Sequence, residues 1–256
     1  PERKTPVPLT STAYYYSHSR MLAKFAALMG EEGGQKDYNA LAEEIKQDFN
    51  RTFYKGEGVY AQGEQTAQAT AVYLGLVEDD EKEAVLDKLT ENVQAQECKV
   101  DFGVVGAKYV PRVLAENGYM ELAYRLVSQP EFPGWVRWLR NGATTLRESW
   151  GDVNSRNHIM FGDVSAWMYL YLAEIQPDPD EPGFKHTIIR PRFVADLDWA
   201  RGTHHSPYGK ISSAWSRHES GVKVELELPQ GVRGDFIQSD GTQVELCPGR
   251  HEFDVT

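Results

Sequence analysis

Residues 176–183 read QPDPDEPG, with three prolines, three acids and a glycine in eight positions. No helix or central strand tolerates such a run, because each proline removes a backbone donor and fixes its own φ. A domain boundary therefore falls inside it. Upstream the apolar residues recur every three or four positions; downstream they alternate.

After the linker, HTIIRPRF, KISSAWSRHE, VKVELELP, DFIQ, TQVELC and HEFDVT are short period-two segments parted by Gly, Pro and Asp turns. They predict an antiparallel β-sandwich over residues 184–256. Before it, residues 1–176 predict successive helical hairpins. The first helix is capped at Thr10, Ser11 or Thr12, buries Tyr15, His18, Leu22, Phe25, Ala26 and Met29, and ends at Gly30. A loop over 31–35 leads to a helix with Tyr38, Leu41, Ile45, Phe49 and Phe53 on one stripe. Further helices are expected over 65–76, 79–93, 102–114, 119–127, 136–140 and 164–175, about eight in all. Paired helices of this kind build a bundle, a solenoid or a toroidal α/α barrel.

The 256 residues carry 27 basic and 38 acidic side chains, a formal charge of −11, which repels nucleic acid and anionic membranes. No partner of either kind is expected. Cys98 and Cys247 stand far apart and read as free thiols. The start, PERKTPVPLT, lacks the apolar core and cleavage site of a signal peptide and reads as internal to something longer. No feature names a compartment.

The chemistry concentrates in QPEFPGWVRWLRNGATTLRESWGDVNSRNHIMFG, residues 129–162. Three tryptophans among polar groups suit a sugar, whose C–H faces stack on aromatics while carboxylates take its hydroxyls or activate a water. Glu148, between Arg147 and Trp150 in a loop-like stretch, is the candidate catalytic carboxylate; its structural alternative is a surface ion pair with Arg147 or Arg140. Trp135 and Trp138, at i and i+3, share one helical face and form either a stacking platform or a core stripe. Arg137, Arg140, Arg147 and Asp152 lie near enough in sequence to line a polar cleft. Asn157 and His158 precede an apolar helix, as caps or as groups facing a pocket. Asp101, in the turn Asp101-Phe102-Gly103, is a weaker candidate for presenting a carboxylate to a cleft. His204 and His205 are adjacent in a strand and point to opposite faces, so no metal is expected. No phosphate loop, nucleophile elbow or Cys/His pair occurs, and no cofactor is implied.

In order along the chain, AYYYSHSRMLAKFAALMG, QTAQATAVYLGLV, ELAYRLVSQPEFPGW, GATTLRESW, NHIMFG, PGFKHTIIRPRF and YGKISSAWSR resemble the C-terminal half of bacterial α-L-rhamnosidases. The resemblance implies part of an (α/α)6 catalytic barrel followed by a β-sandwich, and inverting removal of terminal α-L-rhamnose from a glycoside or polysaccharide. It makes Glu148 the general base, His158 of NHIMFG a rhamnose contact, and Trp135 the tryptophan of the family's P-x-W motif. Arg147 departs from it, standing where the family has tryptophan, and the Glu148–Asn157 stretch is short. Six hairpins require twelve helices, and the family's acidic segment that supplies the general acid has no counterpart in residues 1–30. The resemblance thus implies an inactive piece, with the remaining N-terminal part of the parent chain as partner. Another α/α-barrel glycosidase, a polysaccharide lyase using the arginines, and a non-catalytic carbohydrate-binding protein are the alternatives.

Overall fold

The computed structural model describes residues 4–151, 153–238 and 240–255. They fall into two compact units, one running to Phe161 and the other starting at Gly162.

The first unit is a series of helical hairpins. Helices α1 (Val7–Leu28) and α2 (Glu32–Phe53), α3 (Gln65–Tyr73) and α4 (Lys82–Ala95), and α5 (Val104–Glu116) and α6 (Met120–Ser128) pair in turn, and a short α7 (Trp135–Arg140) follows. Helix α3 touches both α1 and α5, so the first members of the hairpins line up as an inner layer. Its buried Gln68 pins the connection between α2 and α3: Oε1 accepts the Tyr60 N–H at 2.7 Å and Nε2 donates to the Gly58 carbonyl at 2.6 Å. Each buried amide is thereby satisfied.

Three local expectations change. Helix α1 starts at Val7, ahead of the predicted caps, because Pro8 in its first turn gives up an N–H that would have no partner there anyway. The expected loop over 31–35 is mostly helix: Gly30, at φ +73°, turns the chain alone, and α2 begins at Glu32. The buried face of α1 is also the opposite one, carrying Leu9, Ala13, Tyr16, Ser19 and Ala23. Small residues there let α2 approach closely, whereas the larger stripe through Tyr15, Leu22 and Phe25 is exposed.

Pro111 sits inside α5, and the helix continues through it. Close packing of α5 on α3 depends on Gly106, where an added Cβ would lie 2.3 Å from the Phe102 Cβ and 2.5 Å from the Thr66 Oγ1. Gly106→Ala is expected to cost about 2 kcal/mol through overpacking, read as a lower urea midpoint. A midpoint equal to the parent's would show that this contact yields freely.

The second unit opens with α8 (Asp163–Tyr171) and continues as two four-stranded sheets, ordered β1-β2-β6-β7 and β3-β4-β5-β8. The strands are β1 (Gln176–Pro177), β2 (His186–Ile189), β3 (Trp199–Ser206), β4 (Gly209–His218), β5 (Gly221–Leu228), β6 (Arg233–Ile237), β7 (Gln243–Leu246) and β8 (Gly249–Val255). Both sheets feed one core that includes Ile189, Ile211, Trp215, Val224, Leu226 and Phe236. This is the expected sandwich, with the proline-bearing β1 at a sheet edge, where a missing donor is harmless.

Two details differ from the sequence reading. Strand β3, of which the sequence reading has only the strand at His204 and His205, begins at Trp199 and pairs with β4 along its whole length, from Trp199↔Ser216 to Ser206↔Gly209. The β2–β6 pair runs parallel, His186 opposite Arg233, while the other pairs are antiparallel. A parallel pair needs a long crossover, and the excursion through β3, β4 and β5 supplies it.

Candidate functional site

Helix α7 and the loop after it build the site. Gln129 clamps the chain ahead of α7: its Nε2 donates to the Glu131 carbonyl at 2.9 Å and its Oε1 accepts the Glu131 N–H at 2.8 Å. Gly134 is held so close that a Cβ would meet that Nε2 at 2.4 Å. The helix therefore starts at a fixed point and turns Trp135 and Trp138 inward; both are buried.

Their rings join Trp150, Phe102 and Phe161 in one aromatic cluster. Trp150 stacks on Trp138 with centroids 4.8 Å apart, meets Trp135 edge-on at 5.0 Å and packs on Phe161 at 4.2 Å. Each indole N–H has an acceptor: Trp135 donates to the Phe161 carbonyl at 3.0 Å, Trp138 to that of Trp150 at 3.3 Å, and Trp150 to that of Phe102 at 2.7 Å. A polar tip on an apolar body is satisfied here by loop carbonyls, so the cluster fixes the backbone on both sides of Glu148.

On this floor residues 145–158 fold back on themselves. The Glu148 N–H donates to the Ser155 carbonyl and the His158 N–H to the Leu146 carbonyl, each at 3.0 Å. Thr145 and Arg147 both donate to the Arg156 carbonyl. The turn is closed by Asn154 at φ +67°, a conformation asparagine adopts more readily than most residues. The fold-back brings residues ten positions apart together: the Glu148 Oε2 lies 3.8 Å from the His158 Nδ1. The same oxygen accepts the Ser155 N–H at 3.0 Å. Glu148 and His158 are about one-third exposed, at 36% and 35%, so a carboxylate and an imidazole are both held and open to solvent. Such a pair can accept a proton from water or hydrogen-bond a hydroxyl.

Asn157 is exposed beside them, with its N–H on the Ser155 hydroxyl at 3.3 Å. Asp101 adjoins Phe102, but its carboxylate ion-pairs with Lys4 and takes a 3.5 Å contact from Gln96. The guanidinium of Arg147, which with Arg140 is the ion-pair partner in the structural alternative for Glu148, reaches the Arg156 carbonyl at 2.9 Å. Asp152 lies outside the described residues. Ser155, whose backbone holds the Glu148 carboxylate, has no signal in the sequence beyond its place in a turn-rich stretch, since a main-chain donor is independent of the side chain.

Among the described residues, Asp178, Glu181 and His186 could converge on a metal ion. Their donor atoms are already paired: Glu181 with Arg233, and His186 with Asp178 at 2.6 Å and Asp235 at 3.3 Å.

Residues 1–172 match the family model described as the bacterial α-L-rhamnosidase six-hairpin glycosidase domain, and residues 175–246 match the bacterial α-L-rhamnosidase C-terminal domain. An α-L-rhamnosidase of Streptomyces avermitilis is 27% identical over 98% of the chain and 27% of its own length. One from Formosa agariphila is 27% identical over 92% of the chain, again 27% of its own length. The solved Streptomyces avermitilis α-L-rhamnosidase complexed with L-rhamnose superposes with a TM-score of 0.92 at 26% identity, over 98% of this chain and 27% of that one. The α-L-rhamnosidase from Dictyoglumus thermophilum gives 0.88 at 29% identity, over 94% and 31%. The chain thus spans roughly a quarter to a third of the length of these relatives.

Proposed function

Since the chain belongs to the bacterial α-L-rhamnosidase family by the match of both its parts, we propose that it carries the general base of an inverting glycoside hydrolase that releases terminal α-L-rhamnose. Glu148 is that base. The observation that carries the reading is the Glu148–His158 pair, presented to solvent by a loop pinned to an aromatic floor. Relatives over nearly the whole chain are named α-L-rhamnosidases.

An inverting glycosidase uses two carboxyl groups about 6.5–9.5 Å apart. The base takes a proton from a water on one face of the ring while the acid protonates the leaving oxygen on the other. Water attacks the anomeric carbon, the glycosidic bond breaks, and the sugar leaves with inverted configuration. Glu148 performs the first task, and the acid comes from polypeptide outside residues 1–256, so this chain alone does not hydrolyse. His158 and Asn157 hold ring hydroxyls, with Trp135 and Trp138 as the aromatic floor beneath; Asp101, next to Phe102 and ion-paired with Lys4, is the remaining candidate of the proposed sugar site. Fixing the anomeric carbon against the activated water contributes through positioning.

Proton NMR of aryl α-L-rhamnoside hydrolysis by the complete polypeptide tests this. β-L-rhamnose is expected before mutarotation mixes the anomers. Prompt α-L-rhamnose would overturn inversion. Sugar binding without turnover would instead mark a protein that only binds.

A further inference from the structure

The outward face of the sheet β3-β4-β5-β8 carries Trp199, the exposed one among the six tryptophans, with 59% of its surface open. Side chains alternate along a strand, so Trp199, Arg201 and Thr203 of β3 share that face. The register sets them opposite Ser216, Ala214 and Ser212 of β4. The alternate residues of β4, Ile211, Ser213 and Trp215, are buried on the other side. A large ring at the sheet edge therefore stands beside a floor of small side chains. The Arg201 guanidinium lies over the indole, its Cζ 5.6 Å from the ring centroid, and fixes the ring's orientation.

Beyond the floor, Lys223 of β5 pairs with Glu225 and Glu252, and Glu227 takes both Lys210 and Arg250. These charges answer one another. The face thus offers a polyanion no run of free bases and a polycation no run of free acids. A protein interface centres on several large apolar side chains, and this face has one. What remains for a partner is an indole surface, the hydroxyls of Ser212, Ser216 and Thr203, and carboxylate oxygens. A neutral sugar matches that set, because its C–H face stacks on an aromatic ring and its hydroxyls exchange hydrogen bonds with hydroxyls and carboxylates.

We propose that this face is a second glycan-binding site, separate from the Glu148 loop, for a neutral polysaccharide strand. That the strand is the one whose terminal rhamnose is released rests on the function proposed above; the binding of a neutral glycan does not. A polymer held here meets the catalytic site as a tethered ligand, so its chain ends are presented at a raised effective concentration.

Affinity electrophoresis of the complete polypeptide in gels containing a soluble neutral α-L-rhamnan tests the proposal. Glu148→Gln in every protein keeps the polymer intact, and saturating free L-rhamnose occupies the catalytic site. Trp199→Ala is expected to weaken retention roughly tenfold, the cost of truncating an aromatic anchor. Trp199→Phe keeps most of it. The indole is exposed, so the urea midpoint of Trp199→Ala stays unchanged. With Glu148 restored, Trp199→Ala leaves kcat and KM on an aryl α-L-rhamnoside as they were. Absent aryl rhamnoside hydrolysis with retention that still depends on Trp199 would sink the catalytic reading and leave this one standing. Equal retention of Trp199→Ala and its parent would overturn the proposal. So would stronger retention by polygalacturonate than by rhamnan, which would make the partner an anion. Acrylamide quenching that is identical with and without Trp199→Phe in the complete polypeptide would also overturn it, since other polypeptide would then cover the indole. A dimer that Trp199→Ala dissolves would do the same, the occupant being a second copy.

Discussion

Glu148→Gln in the complete enzyme is expected to lower kcat on an aryl α-L-rhamnoside roughly 10³-fold while KM stays within about threefold, the middle of the range for removing a general base. The substitution is conservative in every respect but one. The glutamine oxygen still accepts the Ser155 N–H that now holds Oε2 at 3.0 Å. The backbone bond from Glu148 to Ser155 and the aromatic floor do not involve the carboxylate at all. Loop geometry and sugar contacts through His158 therefore persist, and only the ability to take a proton disappears. A loss of about 10³ corresponds to about 4 kcal/mol of transition-state stabilisation. A loss under tenfold, with a folded protein, would mean another group takes the proton. A parallel rise in KM would mean Glu148 binds sugar without acting as base.

Much of this was legible in the sequence, for identifiable reasons. The run 176–183 broke the helical period, and Ile45, Phe49 and their spacing marked α2, because local chemistry settles such features. The density of tryptophans around Glu148 drew attention to the candidate site, although spacing alone left Trp135 and Trp138 open between platform and core. They prove to be buried against Trp150, a contact made across the fold-back and invisible to any window. The approach of His158 to Glu148 likewise depends on two main-chain bonds between residues seven and twelve positions apart. Helix α1 failed differently: it has two apolar faces, and periodicity does not say which one the neighbouring helices cover. The parallel β2–β6 pair escaped for a similar reason, because period two is blind to strand direction.

In the second unit, Arg192→Ala is expected to destabilise by about 3 kcal/mol or more at pH 9 and much less at pH 5, because it strips a buried carboxylate of its counter-charge. Glu174 is 1% exposed; its Oε1 meets the Arg192 Nη1 at 2.6 Å and its Oε2 takes the Arg190 N–H at 3.1 Å. Burial is the larger influence and pushes the carboxyl up to about 8, outweighing the downward pull of Arg192 and Arg190. The folded state therefore holds this proton more tightly than the unfolded chain, whose carboxyl has its ordinary value of 4.5. The resulting stability is complete below pH 4.5 and declines as pH rises through 8. Removing Arg192 takes away a downward pull, so the folded carboxyl moves higher still and the decline steepens at its alkaline end. At pH 5 Glu174 is neutral in the folded state of both proteins, and the variant loses chiefly the packing of the guanidinium over the Tyr171 ring, 5.2 Å away. Urea unfolding at the two pH values measures the difference, and Glu174→Gln combined with Arg192→Ala supplies the control. With no carboxyl left to titrate, the cost of adding Arg192→Ala to the Glu174→Gln protein should be the same at both. A cost for Arg192→Ala that is equally flat would show that Glu174 is hydrated on opening and that the pair holds no buried charge.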